Sequence, residues 1–520
     1  MKPPIPLTLA ISAIIVLAAY NCATLGRVPA YPSDDDGGYS AAAYQFWQTG
    51  MPGVPGYKDV VGLGREVWAF GHTWAAIQGV FLNGFGVFLF VALLPTFLAG
   101  LALLAVTSMI GTLLWDSKTG ILASLLLAAS GKFFEACHGA RPDMLLALFF
   151  MLSLWLVASA PANRPYGKLF LAGMLMGLSG DVHLNGFLLA PVPLLFWLFL
   201  RPEIFHVRWR TAAIYISAVS IGVLAWLATH YFQHPQEMLH QAALYGGMTH
   251  GIRISSLGLW GSLKQEAGRY LDWFWAARGH RHLYEGLCVL ASGIWMLRRE
   301  SRAGTSLVAA WLSVFLIAAA FMSNSYGWYL IYVWPIFALW CAHVFYAFPV
   351  RSAAKAALLV LLAAYFSNIG LWQIKAMREE PWQSKVGELR RMLPPKAPVL
   401  ANGMFWFAFW DRDFTDEMYV KFRRLEAKLY PISGPASWQG EQAKKGWQYI
   451  VANGEFRQFL DPEIPLAELL SSAAFAGRAS EIREARAFSV ERCSIFKRIR
   501  GSADSILILR IKESDKGVAE

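Results

Sequence analysis

Apolar stretches about long enough to cross a bilayer recur along the chain, and no other feature limits its fold so tightly. A hydrocarbon core about 30 Å thick takes about 20 residues of helix at about 1.5 Å each. Stretches of this kind fall near residues 5–24, 79–107, 119–136, 143–160, 168–180, 186–200, 211–229, 283–297, 305–322, 327–347 and 353–373. They predict an α-helical polytopic membrane protein with about eleven transmembrane helices. The long continuous runs exclude a β-barrel, whose strands alternate in polarity. Composition agrees, because only 16% of residues are charged, where a soluble domain carries about a quarter.

Basic residues give the chain an orientation. Lys2 precedes the first stretch and no small-x-small cleavage site follows, so an uncleaved anchor starting in the cytoplasm is expected. Lys118, then Arg164 and Lys168, Arg201 with Arg208 and Arg210, Arg298 with Arg299 and Arg302, and Arg351 with Lys355 fall in every second connection, which the positive-inside rule makes cytoplasmic. The net charge of +11 therefore reads as loop placement against anionic lipid, and no Lys/Arg cluster is long enough for nucleic acid. Arg141 is the exception on the outer side, in the short connection Cys137-His138-Gly139-Ala140-Arg141-Pro142-Asp143. Cys22, Cys137, Cys288 and Cys341 lie in or beside apolar segments and Cys493 stands alone, which gives neither a disulfide framework nor a cysteine zinc site.

At about Lys375 the pattern changes: helix-like 383–393, strand-like 399–400, helix-like 416–429, strand-like 449–451, helix-like 465–473, then strand-like 487–499 and 504–511. This predicts a membrane domain over 1–374 and a small soluble α/β domain over 375–520, which an odd number of spans puts on the extracytoplasmic side of a plasma (inner) membrane. The chain shows no internal repeat of the kind common in transporters.

The first outer loop, 27–77, places Asp34, Asp35 and Asp36 at a membrane-water boundary. Ionised carboxylates are costly there unless they face water, a partner or a reaction. Adjacent carboxylates repel, which raises the pKa of at least one and favours proton exchange near neutral pH. The plainer alternative is a turn at Gly37-Gly38, or an N-cap for a helix beginning near Tyr39. Tyr44, Phe46, Trp47, Trp68 and Trp74 suggest short interfacial helices in the same loop. A second outer loop, 230–282, holds six histidines, of which only His230/His234 and His280/His282 have the spacing of a metal pair.

Five places, taken in order, resemble a known family. Asp35-Asp36-Gly37-Gly38-Tyr39 matches an Asp-Glu/Asp-x-x-Tyr motif of a first outer loop, and Ala41-Ala42-Ala43 to Gly50 a short helix ending in glycine. Gly71-His72-Thr73-Trp74 resembles the segment leading into a second span. Ala140-Arg141-Pro142-Asp143 is similar to a second outer connection, His183-Leu184-Asn185-Gly186 to a His-x-x-Gly, and Trp328-Tyr329 with Pro335 to a late Tyr…Pro. Together they resemble GT-C membrane glycosyltransferases, in the branch of protein O-mannosyltransferases and lipid A aminoarabinose transferases. Asp36 stands where Glu is commoner in that branch, and Ser323-Asn324-Ser325 where some relatives have a lysine.

The resemblance implies a polyprenyl-phosphate-linked sugar as donor, an inverting transfer at the outer face, and a lipid, glycan or protein acceptor. Asp35 is then the general base, Asp36 raises its pKa or orients the acceptor, and Asp143 is a second acid, with a helix N-cap as its alternative. Arg141, His72 and His183 are candidates for the donor phosphate, and Tyr39, Trp328 and Tyr329 for substrate contacts. A guanidinium meets phosphate oxygens through two parallel hydrogen bonds, while its alternative is snorkelling to headgroups. No spacing demands a cofactor, though carboxylates and His72 can gather a divalent metal. Rival readings are a transporter or flippase of lipid-linked sugars, a non-enzymatic envelope scaffold, and an O-antigen ligase or polymerase with other motifs.

Overall fold

A computed structural model describes residues 7–27, 33–58, 60–161, 164–201, 208–249, 253–276, 283–298, 301–322, 327–347, 382–416, single positions from 418 to 449, residues 450–452, 493–499 and 506–511. Helices dominate it. Leu7–Thr24 (α1) is followed by Asp34–Thr49 (α2), His72–Phe85 (α3), Leu89–Leu114 (α4), Ser117–Ala128 (α5), Gly131–Cys137 (α6), Asp143–Ala158 (α7) and Tyr166–Val182 (α8). Asn185–Leu189 (α9), Pro191–Leu200 (α10), Arg208–Trp226 (α11), Pro235–Thr249 (α12), Arg253–Leu271 (α13), Leu283–Arg298 (α14), Arg302–Phe321 (α15) and Trp334–Ala347 (α16) complete the helical part.

Among the described residues, Leu89–Leu114, Trp209–Tyr231 and Arg302–Phe321 are long and apolar enough to cross a membrane alone, and α5 with α6 makes a fourth if the bent pair is one span. The other apolar helices are shorter, and the expected span at 353–373 lies outside the described residues. Large side chains such as Phe85, Leu224 and Trp260 remain exposed along the helices, as lipid-facing surfaces require.

Several expected spans are interrupted. The stretch 79–107 breaks at Gly86, whose φ of +94° is closed to most other residues. That at 119–136 bends by 63°, where Ser130 Oγ caps the N–H of Phe133 and starts α6 anew. The stretch 186–200 divides between α9 and α10, where Pro191 lacks a backbone N–H. The expected loop 230–282 instead contains α12 and α13. Apolar composition continues across the break between α9 and α10, so hydropathy alone does not mark it, whereas Lys132 and Glu135 follow the bend at Ser130. Where helices meet, small residues let backbones touch: a Cβ on Gly177 of α8 would stand 2.8 Å from the Val219 carbonyl of α11.

Beyond Trp382–Met392 (α17), five strands form one sheet: β1 Val399–Ala401, β2 Phe414–Asp416, β3 Tyr449–Ala452, β4 Cys493–Ile499 and β5 Ile506–Ile511, in the order β2-β1-β3-β5-β4. β1 runs parallel to β2 and β3, while β5 is antiparallel to β3 and β4. The expected helix from 416 instead begins with the end of β2, because Asp416 is still paired with Ala401. The expected helix 465–473 lies outside the described residues.

Candidate active site

α2 is built to present carboxylates at its first turn. Ser33 Oγ accepts from the N–H of Asp36 at 3.2 Å, and Asp36 Oδ2 accepts from the N–H of Ser33 at 2.7 Å, a reciprocal capping box. The other oxygen, Oδ1, accepts from the N–H of Ala140 at 2.6 Å. Asp36 is buried, and burial raises its carboxyl above the ordinary range, against the pull of these hydrogen bonds and of Arg141. It therefore joins α2 to the connection between α6 and α7, and the N-cap expected of an aspartate ahead of Tyr39 is instead Ser33, one residue before a helix that begins at Asp34.

Asp35 points the other way. Its side chain is 56% exposed, yet one oxygen pairs with Nη1 of Arg141, itself only 5% exposed. Arg141 Nε donates to Asp143 Oδ2 at 2.9 Å, and Asp143 Oδ1 accepts from the Tyr332 hydroxyl at 2.7 Å. Asp143 opens α7 without capping it, since Pro142 holds the N-cap position. Its carboxylate serves the guanidinium instead. The Tyr39 ring lies 5.9 Å from that guanidinium. Tyr329 stacks on Tyr332 at 5.9 Å and meets the edge of His183 at the same separation. His183 is within electrostatic reach of Asp143, Arg141 and Asp35. The fold thus brings together Asp35, Arg141, Asp143, Tyr39, His183 and Tyr329, from four segments far apart in sequence. Trp328 belongs to the same 3-10 turn, Gly327–Tyr332, but its side chain lies outside the described residues.

His72 stands in a second cluster. Its Nε2 is 3.5 Å from Glu66 Oε1, which also accepts from His230 Nδ1 at 3.0 Å, while His230 Nε2 meets Asp181 Oδ1 at 2.9 Å. Asp181 Oδ2 takes the N–H and hydroxyl of Thr73 at 2.8 and 2.6 Å. Burial would raise the Glu66 carboxyl, but the hydrogen bond to His230 and the nearby imidazole of His72 prevail and hold it at about 2. Ligand atoms of Glu66, His72 and His230 lie within 4.8 Å of one another, a His₂Glu set of the kind that binds zinc. His72 Nε2 is buried and makes no hydrogen bond, so the residues fit a metal ion. Local spacing singled out His230 with His234, whereas the true neighbours Glu66 and Asp181 are distant in sequence; His280 and His282 lie outside the described residues. Asp181 and His183, two residues apart at the end of α8, put the two clusters side by side.

A family model described as dolichyl-phosphate-mannose-protein mannosyltransferase matches residues 72–231. No curated protein matches the chain in sequence. Among solved structures, ArnT from Cupriavidus metallidurans bound to undecaprenyl phosphate is 12% identical, with a TM-score of 0.58 over 96% of this chain and 97% of that one. The Archaeoglobus fulgidus oligosaccharyltransferase in complex with Zn and sulfate is 13% identical, with a TM-score of 0.56 over 92% and 71%. AglB from the same organism, with an inhibitory peptide and a dolichol-phosphate, is 12% identical, with a TM-score of 0.52 over 86% and 70%. At such identities the likeness carries the fold.

Proposed function

We propose, from the premise that this chain has the GT-C fold and resembles the O-mannosyltransferase and aminoarabinose transferase branch of that superfamily, that it moves a sugar from a polyprenyl-phosphate donor to an acceptor at the extracytoplasmic face. One observation carries the reading: a buried arginine, fixed from behind by Asp143, meets an exposed carboxylate. A cation for the leaving phosphate and a base for the acceptor are the two groups an inverting transfer needs.

Asp143, itself held by the Tyr332 hydroxyl, takes Nε of the guanidinium, while Nη1 meets Asp35. A donor phosphate arriving there displaces Asp35 and leaves the carboxylate free for the acceptor. Asp35 then takes the acceptor proton as the new bond to the anomeric carbon forms and the bond to the phosphate oxygen breaks. Arg141 neutralises the departing lipid phosphate, with His183 as a second donor and Tyr39 and Tyr329 lining the sugar. Asp36 serves by position, through Ser33 and Ala140. A metal held by Glu66, His72 and His230 would fix the loop as a Lewis-acidic cross-link, while the base and cation remain Asp35 and Arg141. The packing of the C-terminal sheet against the first loop supports a second domain, 375–520, on the same face as Asp35.

The test is transfer of radiolabelled sugar from a polyprenyl-phosphate donor by purified protein in detergent. Asp35→Asn is expected to lower turnover by about two to four orders of magnitude. Arg141→Lys keeps the charge but loses the two-pronged geometry and is slower than wild type, and Arg141→Ala is slower still. Normal turnover by Asp35→Asn, or by Arg141→Ala at saturating donor, would remove the corresponding role. Movement of intact donor across a bilayer without transfer would favour the flippase reading.

A further inference from the structure

The C-terminal sheet is pressed against the first loop. A Cβ on Gly37 would stand 1.9 Å from the Gly403 carbonyl oxygen. Tyr44 of α2 meets Trp410 edge-on at 5.3 Å, and the N–H of Val61 donates to Glu426 at 3.3 Å. Within this joint sits Asp416, the last residue of β2, only 3% exposed. Its Oδ1 accepts from the N–H of Met418 at 2.9 Å and its Oδ2 from the Tyr57 hydroxyl at 3.3 Å.

Among the described residues, the charged and titratable groups that face Asp416 are Tyr57 and, at longer range, the carboxylate of Asp35. No cation is among its described partners. One amide and one long phenol contact compensate poorly for a buried negative charge. Burial, with Asp35 adding repulsion, pushes the carboxyl up to about 7.

We propose that Asp416 is a positioning residue for the carboxylate loop, holding the C-terminal sheet against the first loop at Tyr57 as a neutral acid and loosening that joint when it ionises. Asp35 lies two residues from Gly37, so the joint reaches the candidate base through one turn of helix. The effect on turnover rests on the transferase reading; the joint itself does not. The sign follows from linkage. An acid whose pKa is raised by docking favours the docked form fully below its free value of about 4, and that preference is lost as pH rises through about 7. Between those limits docking weakens by about tenfold per pH unit, and above them it levels off.

Hydrogen–deuterium exchange of the full-length protein in detergent, corrected for intrinsic rates, measures the docking directly. Protection of residues 399–416 is expected to fall by nearly a hundredfold between pH 5 and pH 8 in wild type and to stay level in Asp416→Asn. Tyr57→Phe removes a donor that favours the ionised form, so it moves the levelling-off to higher pH. A flat wild-type profile, an unchanged slope in Asp416→Asn, or, should that variant not fold, an unshifted Tyr57→Phe profile would overturn the proposal. A sloping profile in a protein that transfers no sugar would sink the transferase reading alone. An active protein with a flat profile would sink this one alone.

Discussion

Asp35 and Asp36 are adjacent in sequence and opposite in environment. Asp36 is 2% exposed and satisfies two backbone N–H groups, whereas the Asp35 side chain is 56% exposed and meets one guanidinium. Their substitutions therefore separate. Asp36→Ala strands the buried N–H of Ala140 and removes half of a capping box, which costs about 2 kcal/mol of stability by thermal or denaturant unfolding. Asp35→Asn leaves unfolding unchanged. Sequence reasoning nominated both residues with Arg141 and Asp143, because charges at the ends of apolar stretches stand out. It could not tell which carboxylate turns inward, since that depends on the amide of Ala140, 104 residues away. Tyr332, Glu66, Asp181 and Asp416 carry no local signature at all, and each acquires its role only from a partner in another segment.

At the scale of elements, helices were legible wherever an apolar run had the right length, and their breaks were not. The run 119–136 carries enough apolar residues to read as one span, yet it bends by 63° where one serine hydroxyl takes over a backbone N–H. Helix contacts were equally hidden. Gly177 and Gly167 both lie in α8, but a Cβ on the first would meet α11 at 2.8 Å and on the second would meet nothing within 4 Å. Gly177→Leu is therefore expected to lose about 3 kcal/mol or more through overpacking, seen as a lowered yield and melting temperature in detergent, with Gly167→Ala as the neutral control. Equal behaviour of the two variants would mean that α8 and α11 are not held by this contact.

At the scale of the whole molecule, one cluster ties together parts of the chain that share no local element: Glu66 in the first loop, His72 at the start of α3, and His230 just beyond α11. A cross-link among three such segments raises stability by its differential affinity for the folded state. A chelator is thus expected to lower the melting temperature of wild type and not that of His72→Ala or His230→Ala, with metal content by mass spectrometry falling in step. An unchanged melting temperature together with no bound metal would reduce the cluster to a hydrogen-bonded brace. The contact between Gly37 and Gly403 has another consequence, for sequence. With no side chain between the two backbones, and less clearance than a methyl group, any residue larger than glycine at position 37 would wedge the C-terminal domain away from α2.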